Sequence, residues 1–255
     1  MIDYMEAVGA VKNAGGLLLN NWEKPGEIIT KGKSNYVTHI DYLLQEYLIK
    51  KLSSISNREC TFISEEKDNT EDFKNVWVID PLDGTTNFMH GYPHCAINVA
   101  HVVSGEVVFA ATYNPVLDEM FVALKGRGAY LNSRKIQVSV NHKMEQCIVG
   151  FGLPYDRSKQ ETIFSLAKNV FEGCQDIKRK GAASLDLADV ACGRLDGYFE
   201  LDLKAWDYFA GYLLITEAGG QLYETNKYGY PLIVATNGII DKELFSLLQL
   251  KNVTH

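Results

Sequence analysis

Hydrophobic positions near the start of the chain recur at the spacing of amphipathic helices. Apolar residues roughly every three to four positions predict a first helix that Asp3 caps and that extends as far as Trp22. The recurring apolar residues are Met5, Val8, Val11, Leu18 and Leu19. A second helix is predicted after Thr38, because the apolar positions that follow it share one helical face. These positions are Leu44, Leu48 and Leu52.

The pattern then changes to short apolar runs that are typical of β-strands. Residues 60–63 (CTFI) and 76–79 (VWVI) are rich in β-branched and aromatic side chains, and polar segments bound both runs. Acidic residues follow the carboxyl end of each run. Residues 95–122 are predicted to form strands throughout, with a hairpin that turns at Ser104 and Gly105. The first half of the chain is therefore predicted to be α+β.

Strand and helix patterns alternate after the polar segment 139–146, which predicts an α/β second half. Its helices are predicted at residues 160–171, 184–191, 206–218 and 241–248. No linker or repeat separates the halves, so a boundary near residues 140–147 is expected to be a seam within one compact body. We expect two intimate lobes, an α+β lobe at residues 1–142 and an α/β lobe at residues 143–255.

Composition and charge narrow the class of protein. With 255 residues, of which 46% are apolar, the chain can bury a full core. Its formal net charge of −7 argues against nucleic-acid and anionic-membrane partners, because those surfaces bind clustered Lys and Arg. The first residues lack a basic segment ahead of an apolar run, and no apolar stretch approaches the ~20 residues that span a bilayer, so a cytoplasmic protein is expected. The five scattered cysteines suggest neither a disulfide framework nor a zinc site.

The most informative stretch has the sequence WVIDPLDGTTNF. Its strand is expected to end at Asp80, and a turn containing Pro81 then presents Asp83, so that both carboxylates face one point. Gly84 can adopt backbone angles that a side chain would forbid. Thr85 and the threonine after it are expected to open a helix or a tight turn, whose unpaired N–H groups can bind phosphate.

Two further acidic positions are expected beside this pair. Glu65, within the sequence Ser-Glu-Glu, follows the preceding strand, and Asp207 stands at a predicted helix start. Four convergent carboxylates repel one another unless cations neutralise them, and oxygen ligands without organised His or Cys indicate Mg²⁺. Each acid taken singly is more often a turn, a solvated loop edge or a helix cap. Only their joint occurrence favours a metal site.

These four acids match the ligands of sites that hydrolyse phosphate monoesters with two metal ions. Metal ions in such sites polarise the phosphoryl oxygens, lower the pKa of a bound water and stabilise the leaving alkoxide. Asp41 could act with the Thr85 hydroxyl to orient and deprotonate that water. Rate enhancements for monoester hydrolysis can approach ~10²¹, which a site without metals would struggle to supply.

A set of motifs resembles the inositol monophosphatase family of magnesium-dependent, lithium-sensitive phosphatases in order and spacing. The motifs are VTHID at residues 37–41, SEE at 64–66, WVIDPLDGTTNF at 77–88, HGYPHCAINVA at 90–100, GRGAYLN at 126–132, AWDYFAG at 205–211 and TEAGG at 216–220. The resemblance covers nearly the whole chain. It implies a layered αβαβα fold, a small phosphate monoester as substrate and a homodimer.

The resemblance also implies the metal ligands. Glu65, Asp80 and the Leu82 carbonyl would hold one Mg²⁺. A second would be held by Asp80, Asp83 and Asp207, with Glu65 also contacting a third, more weakly bound ion. Residues 1–142 would thus form a metal-binding lobe, and the remainder of the chain a substrate-binding lobe.

Catalytic and substrate-binding residues follow from the same resemblance. Thr85 and Asp41 would activate the attacking water, and Glu65 is counted with them as catalytic. The substrate-binding residues would be Asp83, Gly84, Thr85, Gly181, Ala182, Ala183, Glu200 and Asp207. Glu200 is expected to face the cleft, because alternation along its strand sends Phe199 and Leu201 into the core; the alternative is a surface carboxylate near Lys204.

The expected substrate is inositol monophosphate, because the motif DGTTNFMHGYP resembles the inositol-directed branch of the superfamily. Alternatives on the same metal site are fructose 1,6-bisphosphate, NADP, histidinol phosphate and 3′-phosphoadenosine 5′-phosphate. An alternative of another class is a non-catalytic, metal-binding regulatory protein. Two departures from the family pattern bear on the site: residues 31–35 (KGKSN) form a shorter loop near the third metal, and Asp202 and Lys204 add charges beside the pocket.

Overall fold

A computed structural model describes residues 2–22, 28–32, 35–56, 60–65 and 73–250. Its helices are α1 (Tyr4–Asn20), α2 (His39–Ile55), α3 (Thr85–Met89), α4 (Gln160–Gly173), α5 (Ala183–Ala191), α6 (Ala205–Glu217) and α7 (Asp241–Leu247). Its strands are β1 (Ile28–Gly32), β2 (Asn35–Thr38), β3 (Thr61–Ser64), β4 (Asn75–Asp83), β5 (Ala96–Val103), β6 (Glu106–Asn114), β7 (Glu119–Leu124), β8 (Gly128–Leu131), β9 (Arg134–Lys135), β10 (Ile148–Phe151), β11 (Asp176–Lys178), β12 (Gly197–Leu201), β13 (Gln221–Thr225) and β14 (Leu232–Thr236). All four helices predicted in the second half are present.

The strands form two large sheets and one small hairpin. β1 and β2 pair as the hairpin. The larger sheet has seven strands in the order of the sequence, β3 to β9, with β3 and β4 parallel and the other neighbours antiparallel. From β5 to β9 the strands are sequential and antiparallel because short turns connect them, whereas α3 lies between β4 and β5. The smaller sheet has five strands in the order β11-β10-β12-β14-β13.

Three buried clusters stack the helices and sheets into five layers. Trp77 of β4 packs with α1 and α2 on the outer face of the larger sheet. Val78, its neighbour on the opposite face, packs with Leu187 of α5 and with α6 in the layer between the sheets. Phe199 of the smaller sheet packs with Leu244 of α7 and with α4 on the other outer face. This order is αβαβα, which confirms the predicted fold.

The predicted seam falls between the two sheets. β9 ends at Lys135 and β10 begins at Ile148, on either side of residues 140–147. α5 and α6 nevertheless come from the second half of the chain and pack against the larger sheet. Gly211 allows the close approach of α6 to α5, since a Cβ at this position would lie 2.6 Å from the Cβ of Leu187. The two lobes therefore share a core, and the division at residue 142 remains a proposal.

The apolar residues that marked α2 are all buried, whereas two of those that marked α1 are exposed. Leu44, Leu48 and Leu52 are completely buried, as predicted. In α1, by contrast, Met5 is 76% exposed and Leu19 is 42% exposed. The buried residues of α1 are Ala7, Ala10, Val11, Ala14, Gly15 and Leu18. Small residues face the sheet because the backbones approach closely: a Cβ on Gly15 would lie 2.3 Å from Cε1 of Tyr113.

Local turn chemistry follows the prediction at the β5–β6 hairpin. Ser104 and Gly105 have φ angles of 53° and 81°, the left-handed conformation that two-residue hairpin turns require.

All five cysteines are free; Cys95 and Cys147 are buried and the other three are half-buried. Among the described residues, no helix has both the length and the apolar character needed to cross a membrane.

Candidate active site

A cavity of about 670 Å³ brings the predicted site residues together. All of them except Asp41 line it, and Asp41 contacts one of the lining residues. The lining residues that were predicted are Glu65, Asp80, Leu82, Asp83, Gly84, Thr85, Gly181, Ala182, Ala183, Glu200 and Asp207. They come from both sheets and from the helix layer between them, so the cavity depends on the whole fold.

The irregular end of β4 presents the central pair of acids. Asp80 opposes Asn98 and Asp83 opposes Ala96, with a register shift between the two pairs. The strand was predicted to end at Asp80, but it continues to Asp83. Pro81, which lacks an N–H, is tolerated within the strand because regular pairing is interrupted between Asp80 and Asp83. The Asp80 carboxylate accepts the Leu82 N–H at 3.0 Å.

Gly84 turns the chain from β4 into α3. Its φ is +85°, and a Cβ here would lie 2.9 Å from the carbonyl oxygen of His94, so glycine is required for two reasons. The predicted helix opening at Thr85 is present as the short helix α3. Gly84 and Thr85 both line the cavity beside the two acids.

Neighbouring elements deliver the other two carboxylates. β3 runs parallel to β4 and its last residue, Ser64, pairs with Ile79, so Glu65 follows directly beside Asp80. Asp207 lies in the first turn of α6, where it accepts the Lys204 N–H at 2.7 Å. Both acids line the cavity.

Burial and mutual repulsion disfavour the charged forms of these acids. Burial raises the pKa of Asp80 well above its ordinary value, and the nearby Glu65, Asp83 and Asp207 raise it further. Burial also raises the pKa of Asp207 strongly, with a smaller contribution from the charges of Asp83 and Glu65. A group of acids that oppose each other's ionisation is stabilised by a bound cation, and its oxygen donors suit Mg²⁺.

Asp83 differs from its neighbours because hydrogen bonds partly offset its burial. Burial raises its pKa, whereas hydrogen bonds from the Ser184 side chain and backbone lower it. Ser184 was not predicted as a site residue, since a serine at a predicted helix start is ordinarily a cap. Across the described residues, no group of three or more His, Cys, Asp or Glu side chains has the arrangement of a complete metal site.

Asp41 and Thr85 form a hydrogen-bonded pair at the edge of the cavity. The Thr85 hydroxyl lies 3.1 Å from Oδ1 of Asp41 and 3.0 Å from the Leu82 carbonyl oxygen. Oδ2 of Asp41 accepts the Thr38 N–H at 2.7 Å, so this acid also caps α2. The capping bonds fix the buried Asp41 carboxylate, which leaves Oδ1 directed to Thr85.

Glu200 is buried and borders the cavity opposite the larger sheet. Phe199 and Leu201 pack into the outer core, as the alternation predicted. Glu200 accepts a hydrogen bond from the Tyr198 hydroxyl. Burial raises the pKa of Glu200 to about 8, although this hydrogen bond acts in the opposite direction. The alternative of a surface carboxylate near Lys204 is wrong.

Other residues at the site were not anticipated. A Cβ on Gly152 would lie 1.9 Å from Oε2 of Glu200, so glycine is required beside that carboxylate. Tyr155, which is 56% exposed, also lines the cavity. Both residues lie in the loop after β10, and a loop that follows the carboxyl end of a strand in an α/β half is a usual location for ligand contacts.

The two departures from the family pattern have different outcomes. Asp202, with a φ of 69°, pairs with Lys204 at 3.0 Å and with Lys159, so the added charges compensate each other at the rim of the cavity. The prediction about the loop at residues 31–35 depends on side chains outside the described residues. Glu66 also lies outside them.

Comparison with known proteins supports the same relationship over the whole length. The sequence model described as "Inositol monophosphatase family" matches residues 3–249. The chain is 37% identical over 249 residues to "Nus factor SuhB" of Escherichia coli (strain K12), covering 94% of this chain and 93% of that protein. It is 39% identical over 230 residues to "Inositol-1-monophosphatase" of Rhizobium meliloti (strain 1021), covering 88% and 86% of the two chains.

Solved structures show the same fold. The extragenic suppressor protein suhB from Bartonella henselae superposes with a TM-score of 0.90 at 34% identity, covering 96% of this chain and 98% of that one. The IMPase of Thermotoga maritima superposes with a TM-score of 0.85 at 28% identity, covering 95% and 94% of the chains. With its matching motifs, fold and cavity, the chain belongs to the inositol monophosphatase family.

Proposed function

We propose that this protein is a Mg²⁺-dependent phosphatase that hydrolyses inositol monophosphate to inositol and phosphate. The observation that carries the proposal is the convergence in one cavity of Glu65, Asp80, Asp83 and Asp207 with the Thr85–Asp41 pair. Glu65, Asp80, Asp83 and Asp207, together with the Leu82 carbonyl, would hold the metal. Bound Mg²⁺ would supply Lewis-acid polarisation of the phosphoryl group and acidify water in the site.

The chain's own residues would move one proton during the attack. Thr85 donates its hydroxyl hydrogen to Asp41, so its oxygen lone pairs are free to accept a hydrogen bond from water in the cavity. As the water attacks phosphorus, its proton would pass to the Thr85 oxygen and the Thr85 proton to Oδ1 of Asp41. The bond between phosphorus and the ester oxygen would break, and the inositol alkoxide would leave and take a proton from water. Glu65, which follows β3 beside Asp80, would assist in orienting the water.

The substrate would span the cavity from the acids to Glu200. The backbone N–H groups of Gly84 and Thr85 would bind phosphate oxygens. Gly181, Ala182 and Ala183 line the wall that would contact the hydroxylated ring, and Glu200 would accept hydrogen bonds from ring hydroxyls. Above pH 8, where Glu200 is charged, it would favour a polyol over a second phosphate, which it would repel.

A panel of phosphate monoesters tests the proposal. Phosphate release with Mg²⁺ is expected to be fastest on inositol monophosphate and slower on fructose 1,6-bisphosphate, NADP, histidinol phosphate and 3′-phosphoadenosine 5′-phosphate. A higher kcat/KM on any of these alternatives would transfer the assignment to that substrate. Absence of release from the whole panel would contradict the phosphatase itself.

Glu200→Gln tests ring recognition separately from catalysis. The change is expected to raise KM for inositol monophosphate by about tenfold while leaving KM for a simple aryl phosphate within about twofold, because only the polyol uses the carboxylate. The assay belongs above pH 8, where the carboxylate form of Glu200 predominates. Glu224→Gln, on the neighbouring part of the smaller sheet but not lining the cavity, is the control. Equal effects on both substrates would remove Glu200 from substrate recognition.

A second candidate is a non-catalytic, metal-binding regulatory protein. It is favoured by the name "Nus factor" that several similar proteins carry. All the acids and the threonine needed for catalysis are present, which favours the enzyme.

We further propose that the protein is a cytoplasmic homodimer and that lithium inhibits it, on the basis of the family resemblance. We also propose that it does not bind nucleic acid or membranes, on the basis of its net charge of −7.

A further inference from the structure

A buried serine binds one oxygen of Asp83 through two hydrogen bonds. Ser184 is the second residue of α5, and it is 0% exposed. Its hydroxyl oxygen lies 2.6 Å from Oδ2 of Asp83, and its backbone nitrogen lies 2.8 Å from the same atom. Asp83 belongs to the larger sheet and Ser184 to the middle helix layer. These bonds therefore connect two layers of the fold at the cavity.

The geometry leaves the second oxygen of Asp83 available to the cavity. Both donors reach Oδ2, and no described residue donates a hydrogen bond to Oδ1. Two donors on one oxygen restrict rotation of the carboxylate plane, since rotation would lengthen both bonds. Asp83 lines the cavity beside Asp80 and Asp207. Its orientation, rather than only its presence, is thus set by Ser184.

The start of α5 is itself held in place by buried charges. Asp186, one turn into the helix, is 0% exposed and lies 2.9 Å from Nζ of Lys180 and 3.7 Å from Nε2 of His94. Lys180 also pairs with Asp189 further along the helix. These contacts join α5 to the segment before it and to the segment after α3, which helps to fix the position of the Ser184 donors.

We propose that Ser184 is a positioning residue that orients Asp83 so that its free oxygen is presented to a divalent cation in the cavity. This inference rests on the proposed metal-dependent function. Hydrogen-bond partners that orient a metal ligand typically contribute about 10–100-fold to metal affinity. The alternative role, in which Ser184 only joins two layers of the fold, predicts lower thermal stability with unchanged cation affinity.

Calorimetric titration of Mg²⁺ into Ser184→Ala separates these roles without depending on catalysis. The variant keeps the backbone N–H bond and loses the hydroxyl bond, so the Mg²⁺ dissociation constant is expected to rise about tenfold. The Mg²⁺ concentration that gives half-maximal phosphate release should rise in parallel, while kcat at saturating Mg²⁺ stays within about threefold. Should this variant fail to fold, Ser184→Cys, which keeps the side-chain volume but is a weaker donor, is expected to weaken Mg²⁺ binding as well.

Ser139→Ala is the matched control. Ser139 also donates its hydroxyl to a buried aspartate, Asp196, but neither residue lines the cavity. This variant should bind Mg²⁺ as the unmodified protein does. A dissociation constant for Ser184→Ala equal to that of the unmodified protein would overturn the inference, whatever happens to its melting temperature. If the unmodified protein itself binds no Mg²⁺, the proposed function fails and this inference fails with it.

Discussion

Asp83→Asn is expected to lower kcat for phosphate release by at least about a thousandfold while leaving the fold intact. The amide carries no charge, so it weakens a metal ligand and removes one negative charge from the group that would bind Mg²⁺. Loss of a single electrostatic contact to a transition state costs about 10²–10³ in kcat, and here metal position and transition-state charge both change. The side-chain amide oxygen can still accept a hydrogen bond from Ser184, so the contact between β4 and α5 is retained.

Steady-state kinetics and a thermal melt check this prediction together. Asp118→Asn is the control, since Asp118 lies on the β6–β7 turn, pairs with Lys12 at 3.6 Å and does not line the cavity. It should keep the activity of the unmodified protein. Near-normal activity in a folded Asp83→Asn variant would show that Asp83 is not part of the reacting site.

Removal of divalent metal is the second large effect. Chelation is expected to reduce phosphate release to background, and excess Mg²⁺ should restore it, because the clustered carboxylates would otherwise be left without a counter-charge. Chelation should also lower the melting temperature, since an ion that binds the folded state stabilises it. Lithium should inhibit the Mg²⁺-loaded enzyme. Full activity in excess chelator would contradict the mechanism.

Several parts of the site could be predicted because they depend on local chemistry. Asp80, Asp83 and Gly84 stand within one turn-forming motif, where the missing N–H of proline and the positive φ of glycine constrain the backbone directly. The leucines of α2 mark its buried face because their spacing matches the helix period. Glu65 was placed correctly beside Asp80, since β3 and β4 are short consecutive strands that pair.

Family resemblance extended these predictions to contacts that no local pattern defines. Thr85 and Asp41 lie 44 residues apart, yet they are within hydrogen-bond distance. Nothing in the periodicity of either segment indicates this pairing, because it depends on how α2 packs against the end of β4. The chemistry of water activation suggested the pair, and the motifs VTHID and DGTTNF supported it by comparison with related chains.

By itself the sequence determined the elements, the fold class and the types of side chain available for chemistry, because helix period, strand alternation and turn residues act over a few neighbouring positions. Only the tertiary structure decided which residues of α1 are buried: the close approach of Tyr113 excludes a side chain at Gly15, whereas Met5 is exposed. It likewise decided that Ser184 meets Asp83 across 101 residues. Such contacts arise where separate layers pack, and their specificity belongs to the assembled core.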